Sequence, residues 1–289
     1  MRRYHSEVNE RWEGFVHRPG DIVVSTRSKC GTTWMQMACA LLVHGAPLPA
    51  PLAEISPWLD WSVEPLDVVR ARLDAQDHRR IIKTHTPLGG LPLSPHVTYV
   101  VVGRHPLDVA VSYFHHLGNI DHVRWAELRG SGDVNISPDH TLTELLDLWI
   151  DGRSDPFEGA LDSLPGNVHH ITDAWDRHGE IDVVLVHYDE LQTDLEGTMR
   201  SLAGRLGIDV AEDRWPALVE AATFDRMRTD PSHAVPDHLG VLKDHAAFFR
   251  SGRSGEGVAA CTPAQLSRYE TRIAELAPPE IRAWLHQTG

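Results

Sequence analysis

Ser25-Thr26-Arg27-Ser28-Lys29-Cys30-Gly31-Thr32-Thr33-Trp34 lies between two regular elements. The apolar run Asp21-Ile22-Val23-Val24 before it predicts a buried parallel strand. Met35-Gln36-Met37-Ala38-Cys39-Ala40-Leu41-Leu42 after it predicts a helix. Strand, tight loop and helix together present backbone N–H groups and a helix N-terminus to an anion. Lys29 adds a point charge, Gly31 lets the backbone approach closely, and Thr32 and Thr33 bring hydroxyl donors to the first turn. A phosphate-bearing ligand is the natural occupant; the alternative is a capped strand-to-helix turn with an incidental lysine. The nucleotide P-loop, Gly-x-x-x-x-Gly-Lys-Ser/Thr, is not met. Lys29 comes two residues before Gly31, and no Ser or Thr follows a Gly-Lys pair to hold a metal.

The 289 residues suit a single α/β domain, residues 1–289, with 1–20 as an N-terminal arm. With 24% charged and 42% hydrophobic residues, the chain is globular rather than disordered. No apolar run approaches the ~18 residues of a membrane span. Met1-Arg2-Arg3-Tyr4-His5-Ser6-Glu7 lacks the apolar core of a signal peptide. Cys30, Cys39 and Cys261 are an odd count without zinc-like spacing, which points to a reducing cytoplasm. A net charge of -14 argues against nucleic acid as a partner. An acidic chain that binds a polyanion must concentrate its cations locally. Only three of the 27 basic residues are lysines, Lys29, Lys83 and Lys243, too few to judge by alone.

In the N-terminal arm, Trp12 and Phe15 call for burial, and Pro19-Gly20 marks a turn. Pro47, Pro49, Pro51 and Pro57 make residues 44–65 a long loop carrying Trp58 and Trp61, either lining a pocket or packing at the surface. Leu66, Val69 and Leu73 predict a helix over Pro65 to Gln76. Arg79-Arg80-Ile81-Ile82-Lys83-Thr84-His85 predicts a short strand, which places Lys83 and His85 on one face. Open α/β sheets bind ligands at the carboxyl ends of such strands.

Val97-Thr98-Tyr99-Val100-Val101-Val102-Gly103 predicts a strand buried on both faces. Pro106 opens a helix through His115, so Arg104 stands at a second strand-to-helix crossing and Ser112 lies two turns into the helix. Arg104 has a planar fork suited to phosphate oxygens. The competing reading pairs it with Asp108, a contact worth only ~0–1 kcal/mol at a surface.

Residues 117–140, with Gly118, Gly130, Gly132 and Pro138, form a loop or broken helix. Thr141 and Glu144 predict a capping box. A helix is expected over Asn167 to His178; its adjacent His169 and His170 cannot share one face. Ile181 to Tyr188 predicts another buried strand, and Thr198–Leu206 and Trp215–Ala222 predict helices. Thr223-Phe224 follows the second of these. Phe248-Phe249-Arg250-Ser251-Gly252-Arg253-Ser254-Gly255-Glu256-Gly257 is a glycine loop able to wrap an anion or simply to be mobile. Thr262-Pro263 caps a last helix to about Leu276.

Taken in order, these segments resemble the cytosolic sulfotransferases, which use 3′-phosphoadenosine 5′-phosphosulfate (PAPS). Their first motif, Pro-Lys-Ser-Gly-Thr-Thr-Trp, reads Ser28-Lys29-Cys30-Gly31-Thr32-Thr33-Trp34 here. Their Lys-Thr-His-x-Pro reads Lys83-Thr84-His85-Thr86-Pro87, and their Arg-x-x-x-Asp-x-x-x-Ser-Tyr runs from Arg104 through Asp108 to Ser112-Tyr113. Tyr188-Asp189-Glu190-Leu191 is similar to their Tyr-Glu-Asp-Met, and Arg250-x-Gly252-x-x-Gly255 to their Arg-Lys-Gly-x-x-Gly. The likeness spans Ile22 to about Leu276. It implies a P-loop-like α/β fold, a central parallel sheet with helices on both faces.

The resemblance implies His85 as catalytic base, Lys29 on the leaving phosphate and Lys83 on the sulfonyl oxygens, with no metal. It further implies that Lys29, Cys30, Gly31, Thr32, Thr33 and Trp34 hold the nucleotide. Arg104 and Ser112 grip its 3′-phosphate, Tyr188, Thr223 and Phe224 border the adenine, and Phe249, Arg250, Ser251 and Gly252 close over the 3′-phosphate. Two departures bear on that grip: Ser251 replaces a lysine, and Glu256-Gly257 replaces Asp-Trp. A nucleotide-triphosphate kinase and a non-catalytic nucleotide-binding protein are the alternatives. The acceptor, a small molecule or lipid, is not written in any spacing. Its walls are expected from residues 44–65, 117–140 and 230–247, whose tryptophans lean towards a phenol, sterol or glycolipid. Met35 and Phe114 are assigned to the core, and oligomeric state stays open.

Overall fold

The computed structural model describes residues 1–5, 9–130 and 140–287. Four strands, β1 (Ile22–Thr26), β2 (Ile81–Thr84), β3 (Thr98–Gly103) and β4 (Val183–His187), form a sheet in the order β2-β1-β3-β4. Every pairing is parallel. In register, Val24 lies between Lys83 of β2 and Val100 of β3.

The strands read as continuous apolar runs because both faces are covered. Val23, Ile82, Tyr99, Val101 and Val183 join one core, packed under the helices Pro106–Asn119, Leu142–Asp151, Leu164–Arg177 and Pro263–Leu276. Ile22, Val24, Ile81, Val100 and Val102 alternate to the other core, under Thr32–His44, Leu195–Leu206 and Trp215–Ala222. Met35 is fully buried in the second core and Phe114 packs on the first, as the sequence reading assigned them.

Local signals set most boundaries. Thr141 and Glu144 form the expected capping box, and so do Thr262 and Gln265. The helix expected from Asn167 starts at Leu164 instead, because Ser163 caps it and Pro165 fits its first turn. The loop 44–65 contains a one-turn helix, Leu52–Ile55. Within 117–140 a helix runs His122–Arg129, capped by Asp121; Gly132 and Pro138 lie outside the described residues. A further C-terminal helix, Pro279–Leu285, was not expected. Trp12 is fully buried and its Nε1 donates to Asp60 at 3.2 Å, so the N-terminal arm is anchored.

Candidate active site

All four strands deliver a residue to one cavity of about 340 Å³ at their carboxyl ends. Lys29 lies in the loop after β1, Lys83 on β2 with His85 just beyond it, Arg104 follows β3, and Tyr188 follows β4. Ser112 reaches the same cavity from the helix Pro106–Asn119, and Phe249, Arg250, Ser251 and Gly252 enclose it from the late glycine segment.

The first loop is held under backbone strain. Lys29 has φ 67°, the single non-glycine residue in the left-handed region among the described residues. Gly31 has φ 98°, and a Cβ there would meet the Tyr188 ring at 2.9 Å. Only glycine lets this loop lie against the end of β4. Arg104 ties the parts together. Its guanidinium sits 4.1 Å over the Tyr188 ring and donates to the Lys29 carbonyl at 3.3 Å and the Arg253 carbonyl at 2.8 Å.

Asp108 does not pair with Arg104. Its carboxylate accepts the amides of Gly255 (2.9 Å) and Gly257 (2.6 Å), fastening the glycine segment to the helix start. Gly257 stands where the resemblance led one to look for Trp. A Cβ there would lie 2.2 Å from the Leu107 carbonyl carbon, so no side chain fits. The segment is anchored by backbone contact in place of an indole.

Among the described residues neither Lys29 nor Lys83 is in an ion pair, whereas Arg250 is paired with Glu256. Burial, then the charges of Arg104 and Arg250, push Lys29 down to about 8. Burial pushes Lys83 to about 7, against the pull of Asp60 and with repulsion from Lys29. Two buried lysines with depressed pKa values mark a site whose charge a bound anion would balance. Aromatic faces hold them meanwhile: Lys83 Nζ is 3.7 Å from the Trp58 ring centroid and Lys29 Nζ is 4.5 Å from that of Phe248.

His85 is set up as a base. Burial, then Lys83 and Arg27, hold its pKa well below the usual imidazole value, so it is neutral at pH 7. Its Nδ1 lies 2.5 Å from the Thr26 carbonyl, which can only accept. The proton therefore resides on Nδ1, and Nε2 carries the basic lone pair. Its ring meets Trp58 edge-on at 4.6 Å. Behind it, Asp60 accepts from Trp58 Nε1 (2.7 Å), Thr86 Oγ1 (2.6 Å) and Thr84 Oγ1, which fixes the strand end and the indole together. Arg27 donates to the His85 carbonyl and to Asp162 at 2.7 Å.

Most of the expected residues converge here, and two do not. Trp34, Tyr188 and Phe224 form an aromatic corner, with Trp34 at 5.6 Å from Tyr188 and 5.7 Å from Phe224. Gly31, Thr32 and Thr33 line the wall beside them. Cys30, by contrast, is buried in the core, where Asn167 Nδ2 donates to its Sγ at 3.3 Å and its own N–H closes a turn to Arg27. Thr223 also stays out of the wall: its hydroxyl accepts from Arg226 N at 3.2 Å and donates to Glu220 O at 2.9 Å, spending it on a helix cap. Asp60, Arg27 and Asp162 were not foreseen, nor was the hold of Asp108 on the glycine segment, because long-range contacts alone reveal these roles. His116 was missed too. It lines the cavity with Nδ1 buried and without a hydrogen bond, and burial, then Lys29 and Lys83, hold its pKa well below normal.

The far side of the cavity is apolar. Trp58 and Trp61 stack at 5.3 Å and 2°, and Trp61 lies 6.4 Å from Trp125. Ile120, Val241 and Leu242 complete this side. The three segments expected to wall an acceptor, 44–65, 117–140 and 230–247, therefore each supply lining residues, and both tryptophans of the first line the pocket. Among the described residues no group of three or more His, Cys, Asp or Glu side chains is arranged for a metal, and no helix is long and apolar enough to cross a membrane.

A sulfotransferase-domain family model matches residues 19–288. The chain is 38% identical over 299 residues to a glycolipid sulfotransferase of Mycobacterium bovis (strain BCG), covering 96% of this chain and 91% of that one. It is 25% identical to sulfotransferase 1A1 of Mus musculus, covering 95% and 90%. Its fold matches the crystal structure of mouse sulfotransferase SULT7A1 complexed with PAP at a TM-score of 0.71 and 19% identity, covering 98% and 95%.

Proposed function

The chain belongs to the sulfotransferase family, and from that premise we propose that it moves the sulfuryl group of PAPS to a hydroxyl or amine of a lipid or small-molecule acceptor, releasing 3′,5′-ADP. One observation carries the reading: Lys29, Lys83, Arg104 and Arg250, from four separate segments, line one cavity with a neutral His85. The match to a glycolipid sulfotransferase and the tryptophan-lined far side favour a glycolipid as acceptor. We read the chain as one catalytic domain working in the cytoplasm, where Cys30, Cys39 and Cys261 would stay reduced as they are here.

The residues fit a doubly phosphorylated adenosine. Trp34, Tyr188 and Phe224 border the adenine, Arg104, Ser112 and Arg250 hold the 3′-phosphate, and Lys29 with Gly31, Thr32 and Thr33 holds the 5′-phosphate. In the transfer, the acceptor oxygen bonds to sulfur as the bond from sulfur to the bridging oxygen breaks, and the electron pair stays on the leaving phosphate. Lys29 stabilises that growing charge, the logic of an oxyanion hole applied to a leaving group. Lys83 orients the sulfonyl oxygens, and His85 Nε2 takes the acceptor proton. An anion beside Lys83 offsets the charge that suppresses His85, so donor binding raises the basicity of the imidazole.

The test is His85→Ala with radiolabelled PAPS and a glycolipid panel. Transfer should fall by about 10²–10⁴, while the dissociation constant for 3′,5′-ADP stays within about twofold. Full activity in this variant removes the mechanism.

A further inference from the structure

Arg250 and Ser251 reach the cavity with their polar groups already engaged. Arg250 donates through both terminal nitrogens to the Glu256 carboxylate, one bond at 3.4 Å and the other shorter. Ser251 Oγ donates to the same carboxylate at 3.1 Å. Glu256 cannot drift away with them. The amides of its two neighbours, Gly255 and Gly257, are both bound by Asp108, and Gly257 packs against the Leu107 backbone. A carboxylate on an anchored backbone thus holds two groups that line the cavity.

Resting on the PAPS reading above, we infer that Glu256 is an internal rival of the nucleotide's 3′-phosphate: it occupies Arg250 and Ser251 in the free enzyme and sets how tightly that phosphate is held. A phosphate can use the guanidinium fork only by sharing it with Glu256 or by drawing it away. Either route places two anions near one cation, and the like charges lower affinity. The contacts away from the 3′-phosphate, at Lys29 and the aromatic corner, are untouched. The effect is therefore confined to ligands that carry a 3′-phosphate. It also hastens departure of 3′,5′-ADP, because Arg250 has a partner waiting. Ser251 strengthens the case: a hydroxyl adds no charge beside Arg104 and Arg250 to outbid the carboxylate, and Arg250 is the contested cation.

The experiment is calorimetric titration of the full chain with 3′,5′-ADP and with 5′-AMP. Wild type, Glu256→Gln, Arg250→Ala and the double variant are compared. Glu256→Gln should bind 3′,5′-ADP about three- to tenfold more tightly and 5′-AMP unchanged, and the gain should vanish when Arg250 is Ala. Glu256→Ala should give the same ordering if the isosteric variant folds poorly. Unchanged or weaker 3′,5′-ADP binding in Glu256→Gln overturns the inference, as does equal tightening of 5′-AMP. Failure of wild type to bind 3′,5′-ADP removes the parent reading and this one with it. Wild-type binding that Glu256→Gln does not improve removes this one alone.

Discussion

The two sides of the cavity are built differently. On the nucleotide side Lys29, Lys83, His85, Arg104 and Tyr188 each stand within a few residues of a strand end. The parallel register that aligns β2, β1, β3 and β4 also sets Lys29, Lys83, Arg104 and Tyr188 beside one another. On the acceptor side only Trp58 is tied to the sheet, by a bridge to Lys83 of β2, and the rest is held by loops. Ile120 bridges Leu242, Asp121 N–H donates to Val241 O at 2.8 Å, and Lys243 N–H donates to Asn119 O at 2.8 Å. Two distant loops hold each other. Apart from Trp58, the difference separates chemistry from choice: reaction groups ride on a rigid element, and the rest of the acceptor wall rides on paired loops.

The sharpest way to break this division is Arg104→Ala. The substitution removes two hydrogen bonds that join the first loop to the glycine segment, and with them the proposed phosphate fork. The dissociation constant for 3′,5′-ADP should rise roughly a hundredfold, as expected for losing a bidentate charge-assisted contact. The acceptor KM, measured at saturating PAPS, should move by less than about twofold if the two sides are independent. A large acceptor effect would show that the sides are coupled.

A second test uses protons. In the free enzyme Lys83 titrates at about 7 and Lys29 at about 8. A bound polyanion raises both values, so above pH 7 the complex holds more protons than its separated parts. Affinity for 3′,5′-ADP should then fall as pH rises, by roughly tenfold or more between pH 7 and pH 9. The slope should level off only below about pH 6, where both lysines are already charged in the free enzyme. Calorimetry in buffers of different ionisation heat should detect proton uptake at pH 8, and Lys29→Met should remove the share that sets in near 8. A flat profile would mean that neither ammonium meets the ligand.

How much of this was legible in the sequence follows the same division. The cradle could be read because its logic is local: an apolar run, a glycine where the chain must turn close, and a cation just past a strand. Lys29, Lys83, His85 and Arg104 all obey it. The side chains of Cys30 and Thr223 turn away from the cavity because a motif names positions, while side-chain direction depends on partners elsewhere, Asn167 for one and a helix cap for the other. Asp60 shows the limit. Its four donors come from Trp12, Trp58, Thr84 and Thr86, and no spacing announces that they meet. The acceptor walls were located as segments, but their lining order depends on loop pairing that sequence periodicity does not encode.

The smallest expected effect sharpens the comparison from the acceptor side. Trp125 sits on the helix His122–Arg129, lines the cavity and is only half-buried, so its loss should not unfold the chain. It lies 6.4 Å from Trp61. Replacing it by Ala removes apolar contact with an acceptor and touches no group assigned to the nucleotide. The acceptor KM should rise about three- to tenfold, the range for losing part of an aromatic contact. At saturating acceptor kcat should stay within about twofold, and so should the dissociation constant for 3′,5′-ADP, because binding is lost equally in ground and transition states. A fall in kcat instead would mean that this indole helps aim the hydroxyl at sulfur. The far wall would then share in the chemistry, and the boundary between the two halves would have to be redrawn through the acceptor itself.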